Sequence, residues 1–589
     1  MQEPHHTPGR DARADARTGL PVAGAMDRSR TEREGNLMGH SANMLADAAT
    51  LEGAALSAHG PHASVVASLR PQLSRAMGTA NERAHAGVGA DVGQVAETTH
   101  QPVADNDPAP AIARSQDAHT SVDARTTASQ HQRAPGLDHA DVFAAPTWYE
   151  TTTSAIPAAA RLVGSARADV CVVGAGFAGL TAAIRLAERG HSVIVLNAGG
   201  PDAGASARNG GQLIGGAADD EAFAKAPPEG GQELLGDIYY HGHDVIHGLR
   251  ARYAIDCDWR AGWLMGANNV NQISAVHALQ DLHDRLGIDG QLTDLSSAQV
   301  SALTGSQSYV GGVASNRNGH LNPLKLLAGE RRAARELGVR FFDHSSVIDI
   351  EDLTSTGAGV RHQLGRQGQG HAAGAAGARV HTANGTVSAD FVVLTAGYGH
   401  RLARRQLAGR TQAFGSYIAV TKPLRTQADR DAVARILPGN HAATDTKTLL
   451  DYYRRLPDGR LLFGGRTLGN PKDSAAAGAM LHQRLTATYP ELAGIGLECA
   501  WGGRLGLTST LTPAIGRASP RVIYGQGFAG HGLNMAHITG DILADAAVGT
   551  REQFDVLARV RHRRIPMPPS IMTPLMTAAV ALRQLRDVL

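Results

Sequence analysis

Residues 168–197, ADVCVVGAGFAGLTAAIRLAERGHSVIVLN, carry the clearest structural signal in the chain. Ala168 to Val173 is a short apolar run that stops at Gly174, which suits a strand buried on both faces. Residues 178–189 are helix formers. Leu180, Ala183, Ile184 and Ala187 are spaced for one face, and Gly190 is placed to cap the end. His191 to Leu196 reads as a second buried strand. Strand, glycine turn, helix and strand within about 30 residues predict a βαβ unit. The turn is Gly174-Ala175-Gly176-Phe177-Ala178-Gly179, a G-x-G-x-x-G sequence. Gly174 permits the tight turn, Gly176 lets backbone approach a pyrophosphate, and Gly179 lets the helix pack on the strand. Unpaired N–H groups and the positive end of the dipole favour negative charge at the helix start. In this context the hexapeptide predicts dinucleotide binding.

The end of the second strand is where an acid would bind the ribose. Asn197 stands there, followed by Ala198. Its amide oxygen still accepts a hydroxyl, without the charge assistance that makes such bonds roughly twice as strong. Next comes Gly204 to Gln212, GASARNGGQ. Its small residues and adjacent donors allow Ser206, Asn209, Gly210, Gly211 and Gln212 to lie along a phosphate chain and a planar ring. The alternative is a flexible loop with a surface Arg. Near the other end, GQGFAGHG (525–532) opens a helix with a stripe of Met535, Ile538, Ile542 and Ala546 and a stop at Gly549. A second glycine-rich turn at a helix start makes a second site for negative charge, with Gly530, Gly532 and Leu533 as contacts. Two such sites suggest one large cofactor gripped at both ends, and tight glycine packing is the alternative.

Between these ends the pattern alternates. Residues 325–337 read as a helix closed by Gly338. Residues 339–342 and 347–350 read as strands, with Val347 a candidate cofactor contact. Val392 to Leu394 is another buried strand, running into Thr395-Ala396-Gly397, where Ala396 and Gly397 are candidate contacts. Leu449 to Leu456, Pro457-Asp458-Gly459 and Arg460 to Phe463 form a hairpin signal. Residues 356–379 are Gly-rich and read as a loose insertion. The expected fold is α/β (α+β overall): a Rossmann-like domain with an inserted antiparallel-sheet substrate domain. The expected boundaries are 143–230, 325–400 and 501–555 for the first domain and 231–324 with 401–500 for the second. Residues 556–589 form a C-terminal segment.

Composition changes near residue 142. No aromatic residue and no Cys precedes Phe143. The apolar patches there are too short to offset chain entropy, so 1–142 reads as a disordered, low-complexity extension. A formal net charge of +2 gives no global pull toward nucleic acid. Cys171, Cys257 and Cys499 have no metal-ligand spacing, so no metal is expected. Three scattered Cys fit a reducing compartment. No apolar signal region and no run of about 18 apolar residues is seen, so the expected location is cytoplasmic, with no membrane span.

On these segments the chain resembles the FAD-dependent amine/D-amino-acid oxidase (DAO) superfamily, in the branch of gamma-glutamylputrescine oxidoreductase. The resemblance rests on VCVVGAGFAGLTAAIRLAERG, GASARNGGQ, FGSYIAVTKPL (414–424), DTKTLLDYYRRLPDGRLLFGGR (445–466), WGGRLGLTSTLTPAIGR (501–517) and GQGFAGHGLNMAHITGDILA (525–544). It implies an FAD domain and a substrate domain whose sheet covers the flavin. It also implies oxidation of a C–N bond by hydride transfer to flavin N5, with oxygen as acceptor and peroxide as product. The substrate would be a small amine or amino-acid-like molecule. With no Cys in 500–589 and no His in GASARNGGQ, the expected FAD is non-covalent.

Within that frame Arg504 is a candidate for a substrate carboxylate, or else a structural ion pair. His531, in the second turn, either polarises the ring or is a core His. Trp263, Tyr417 and Tyr452 either wall an amine pocket or belong to the core. His320 is a weaker candidate. A flavin dehydrogenase serving a quinone or carrier, and a catalytically silent flavin-binding protein, remain as alternatives.

Overall fold

A computed structural model describes residues 141–288, 292–356, 377–397, 402, 409–466 and 471–564. The extension before residue 141, the glycine-rich stretch 357–376 and the C-terminal 565–589 lie outside the described residues.

Two sheets organise the chain. The first contains β1 (Gly164–Val173), β2 (Val193–Leu196), β7 (Arg340–Phe342), β8 (Val347–Asp352), β9 (Ala378–Thr382), β10 (Gly385–Leu394), β16 (Ala514–Ser519) and β17 (Val522–Gln526). The second contains β3 (Gln212–Leu213), β4 (Arg260–Ala267), β5 (Thr293–Ser296), β6 (Gly311–His320), β11 (Thr411–Thr421), β12 (Ala442–Asp445), β13 (Asp451–Arg455), β14 (Leu461–Arg466) and β15 (Leu497–Thr508). The helices used below are α1 (Phe177–Glu188), α2 (Ala205–Arg208), α3 (His241–Arg252), α4 (Val270–Arg285), α5 (Pro323–Glu336), α6 (Gln427–Ala434), α7 (Ser474–Thr488) and α8 (Gly532–Val548).

In the first sheet β7, β2, β1, β10 and β17 run parallel in that order. Val170 to Val173 are buried between β2 and β10, as an uninterrupted apolar run requires. β1 starts earlier than the apolar run. Gly164 to Ala168 pair with Gly385 to Ala389 mainly through backbone, and their side chains are mostly exposed, so no hydrophobic pattern marks them. The chain leaves β1 toward β2 on one side and later fills β10 and β17 on the other. The crevice above the carboxyl ends of β1 and β10 is therefore a topological switch point, where open α/β sheets bind ligands.

Three helices lock together beneath that crevice. A Cβ at Gly540 in α8 would sit 2.5 Å from the Ala178 carbonyl oxygen in α1, so only glycine allows this crossing. His537 of α8 lies against the Phe177 ring, with centroids 4.9 Å apart. Its Nδ1 bonds the Leu533 carbonyl at 2.6 Å and its Nε2 bonds Glu330 of α5 at 2.7 Å.

The second sheet has the order β15-β11-β14-β13-β12-β4-β6-β3, with β5 added on β6. It is antiparallel except where β12 joins β4 in parallel, one departure from the expected antiparallel sheet. The β13–β14 hairpin forms around Pro457-Asp458-Gly459, and Gly459 takes φ +83°. Successive side chains on a strand face opposite ways. Ile418, Val420, Leu462 and Trp501 therefore pack into the main core shared with the first sheet. Tyr417, Ala419, Leu461, Phe463 and Ala500 pack behind, under α6 and α7.

Candidate active site

The first glycine turn follows β1. Gly174 takes φ +110°, and its N–H donates to Leu196 at the end of β2. A Cβ at Gly179 would fall 1.9 Å from the Gly174 carbonyl oxygen, and one at Gly176 would fall 2.8 Å from Ser206 Oγ. Ser206 Oγ accepts from the Phe177 N–H at 3.1 Å. The N–H groups of Ala178 and Gly179 find no acceptor among the described residues, as the first turn of a helix leaves them. Ala175 is buried behind the turn. Thr395 ties the end of β10 to this turn by donating to the Val173 and Gly174 carbonyls. Ala396 and Gly397 follow it. A Cβ at Gly397 would meet nothing within 4 Å, so the crevice is open there.

Asn197 closes β2. Its Nδ2 donates to Gly200 O at 2.7 Å, Gly199 O at 3.3 Å and Asp343 Oδ1 at 3.3 Å. Its Oδ1 keeps no partner among the described residues, so an acceptor is available for a ribose hydroxyl. Asp343 is fully buried. It also accepts from the Ala159 N–H at 2.6 Å and from Arg331 at 2.5 Å. The Ser345 N–H donates to Asn197 O, which brings Val347 and the start of β8 beside this corner. Ala198 is exposed next to it.

The loop from Gly204 to Gln212 crosses to the second sheet. Asn209 Nδ2 folds back onto Ser206 O, and Gln212 Nε2 reaches Ala443 O. A Cβ at Gly210 would lie 2.6 Å from the Tyr452 ring. Tyr452 is on the face of the sheet toward the main core, and its hydroxyl is 3.2 Å from Ser416 Oγ.

The second glycine turn follows β17, two strands from β1, so the two strand axes are about 10 Å apart. His531 stands at the N-cap position of α8 at that turn, and Leu533, the second residue of the helix, is buried. Arg466, at the end of β14, reaches over the turn. Its Nη2 donates to Ala529 O at 3.2 Å and lies 2.9 Å from where a Gly530 Cβ would stand. No carboxylate pairs with it among the described residues. Burial lowers the Arg466 pKa from the usual range. Burial and the Arg466 charge push His531 down to about 4, so its imidazole is neutral near pH 7.

Four expectations are corrected here. Arg504 is exposed and stacks on Phe143, its guanidinium carbon 4.1 Å from the ring centroid. Tyr417 is buried on the same face, 5.8 Å from Phe143 between ring centroids. That is the face away from the glycine turns, because Gly415 opposes Arg504 and Tyr417 is two residues on. Trp263 packs in a small core with Val276 of α4, Val313 and Ala442. His320 is a core His bonded to Asn440 O at 2.9 Å. Tyr452 and His531 both lie near enough to Arg466 to feel its charge. Arg466 was missed because a strand-end Arg in FGGR has no motif of its own. The sign that finds it is its pairing with Ser416, which sets its face.

The comparisons agree with this fold. A family profile described as FAD dependent oxidoreductase (DAO) matches residues 169–546. The gamma-glutamylputrescine oxidoreductase of Escherichia coli K12 is 32% identical over 421 residues, 71% of this chain and 92% of that protein. A probable oxidoreductase OrdL of Haemophilus influenzae is 31% identical, over 66% of this chain and 85% of its own length. Among solved structures, glycine oxidase from Geobacillus kaustophilus shares the fold with a TM-score of 0.53 at 19% identity. That match covers 67% of this chain and 99% of that one. No helix among the described residues is long and apolar enough to cross a membrane.

Proposed function

The chain belongs to the FAD-dependent oxidoreductase (DAO) family, with FAD as its cofactor, and on that premise we propose that it oxidises the C–N bond of an amine bearing a carboxylate. The electrons pass to molecular oxygen, giving hydrogen peroxide. Arg466 carries this reading: a largely desolvated guanidinium with a single carbonyl partner among the described residues, set over the second glycine turn on the sheet face nearest the cofactor site. The Escherichia coli relative is named for gamma-glutamylputrescine, a secondary amide whose glutamyl end keeps a free α-carboxylate.

The residues present fit FAD. The free N–H groups of Ala178 and Gly179 suit its pyrophosphate, and the free Oδ1 of Asn197 suits its ribose. The start of α8 suits the electron-rich edge of its ring. Non-covalent attachment fits the buried positions of Cys171, Cys257 and Cys499. Bound FAD supplies a two-electron acceptor that takes hydride from the carbon beside the substrate nitrogen. Arg466 would hold the carboxylate by paired N–H donors and so fix that carbon. Its charge also disfavours a protonated amine nearby, which leaves the nitrogen lone pair available. His531, neutral beside Arg466, accepts a hydrogen bond from the amine rather than storing its proton. Tyr452 walls the space. The imine then takes up water and splits into an aldehyde and ammonia or a smaller amine.

An anaerobic amine panel tests the reading through bleaching of the flavin band. Gamma-glutamylputrescine should bleach the wild type, and Arg466→Met should cut its kcat/KM roughly 10- to 150-fold, the worth of a charged hydrogen bond. Putrescine, which has no carboxylate, should lose far less. Equal losses on both amines would refute the role of Arg466, and a panel without any bleaching amine would refute the reaction.

A further inference from the structure

Four consecutive carbonyls of the loop between α2 and β3 are held from outside. Trp501 Nε1 donates to Arg208 O at 3.0 Å, and the Tyr149 hydroxyl donates to Asn209 O at 2.8 Å. Arg454 Nε donates to Gly210 O at 2.8 Å, and the Leu321 N–H donates to Gly211 O at 2.8 Å. A trans peptide plane directs its N–H opposite to its C=O. With the carbonyls of 208, 209 and 210 fixed outward, the N–H groups of Asn209, Gly210 and Gly211 face the other way. Asn209 Oδ1 takes the Gly211 N–H at 2.9 Å. The Gly210 N–H finds no acceptor among the described residues, whereas that of Asn209 closes the single turn of α2.

Two of the four tethers come from side chains that also hold each other. Arg454 Nη2 donates to the Tyr149 hydroxyl at 3.3 Å. Tyr149 is fully buried and Arg454 is 2% exposed. A buried cation is costly unless its donors are used. Arg454 uses them on a loop carbonyl and a phenol, with no carboxylate among the described residues. Such an arrangement is a brace, built where the orientation of one loop matters. Tyr149 also stands edge-on to Trp501, with centroids 5.6 Å apart, so three of the four tethers form one block.

We propose that Tyr149 and Arg454 are positioning residues for FAD. They keep the Gly210 amide turned toward the flavin ring, where its N–H favours the electron-rich reduced form. The short helix Trp148–Thr151, which precedes the βαβ unit, is thereby part of the cofactor site. The inference rests on FAD as cofactor and not on the choice of amine.

The test uses full-length protein loaded with FAD and reads the reduction potential of the bound flavin by dye equilibration. It also titrates FAD into apo-protein by fluorescence quenching. Tyr149→Phe frees the Asn209 carbonyl and lets the peptide turn. Reduced flavin should then be disfavoured five- to tenfold, a potential lower by about 20–30 mV for a two-electron couple. Arg454→Lys, which keeps the charge but loses the fork, should shift the potential in the same direction. Tyr489→Phe is the control: it also removes a buried phenol–carbonyl bond, to Thr304 O, but in the core behind the second sheet. It should lower Tm and leave the potential alone. Shifts in Tyr149→Phe and Arg454→Lys no larger than in Tyr489→Phe would overturn the proposal, as would a shift to higher potential in both.

Discussion

Asn197 shows how one atom of a side chain can replace a charge. Its Nδ2 is committed to Gly199, Gly200 and Asp343, which leaves the Oδ1 for the ribose in the FAD site proposed above. The acid expected at this strand end would face the buried Asp343 carboxylate instead. Asn197→Asp should therefore weaken FAD binding, roughly 10- to 100-fold, through lost donors and like-charge repulsion. Fluorescence titration of the apo-protein checks this, and tighter binding in the variant would contradict the assignment. The substitution was plain in the sequence, but its partner Asp343 was not, because it is the residue after β7, 146 positions later. The two arginines teach a related lesson. Gly464-Gly465-Arg466 and Gly502-Gly503-Arg504 read alike, and both flank β11. Ser416 opposes Arg466, whereas Gly415 opposes Arg504, and this one-residue offset sends them to opposite faces. Register is a property of paired strands, and neither tripeptide alone contains it.

At the scale of elements, the crossing of α1 and α8 couples the two glycine turns. Gly540→Ala should force the helices apart, since its Cβ would meet Ala178 O at 2.5 Å and Thr181 Cβ at 2.6 Å. Overpacking of this kind costs about 1–3 kcal/mol, against which alanine's better helix propensity returns up to about 1 kcal/mol. The expected result is a lower Tm together with weaker FAD retention. An unchanged Tm with full flavin content would mean that the crossing is looser than described. The elements around both turns were legible, because apolar runs and helix-spaced stripes are local signals. The βαβ unit, α8 with its stop at Gly549 and the β13–β14 hairpin all formed as read. The early start of β1 was not legible, since Gly164 to Ala168 pair by backbone and bury little.

Across the whole molecule, buried ionisable groups set the response to pH. Asp220 is buried beside Tyr239 and pushed up to about 7, chiefly by loss of water. An unfolded Asp ionises near 3.9. Stability from the protonated folded form is therefore fully present below about pH 4 and is lost as pH rises through about 7. Asp220→Asn should flatten that decline. Urea unfolding at pH 5 and pH 8, with FAD held saturating, checks the sign, and parallel losses in both proteins would refute it. The two-sheet plan was visible from the alternation of patterns. The parallel join of β4 to β12 was not, because it unites strands about 175 residues apart. The same long separation governs the crevice itself. Its first turn lies at 174–179 and its second at 527–532. A ribosome adding about 5–20 residues per second needs roughly 20–70 s to travel between them. A nascent chain thus displays half a nucleotide clasp long before the other half exists. With FAD held as proposed, capture must wait until α8 has been made, and a transcript truncated before α8 would yield an apoprotein whatever the flavin supply.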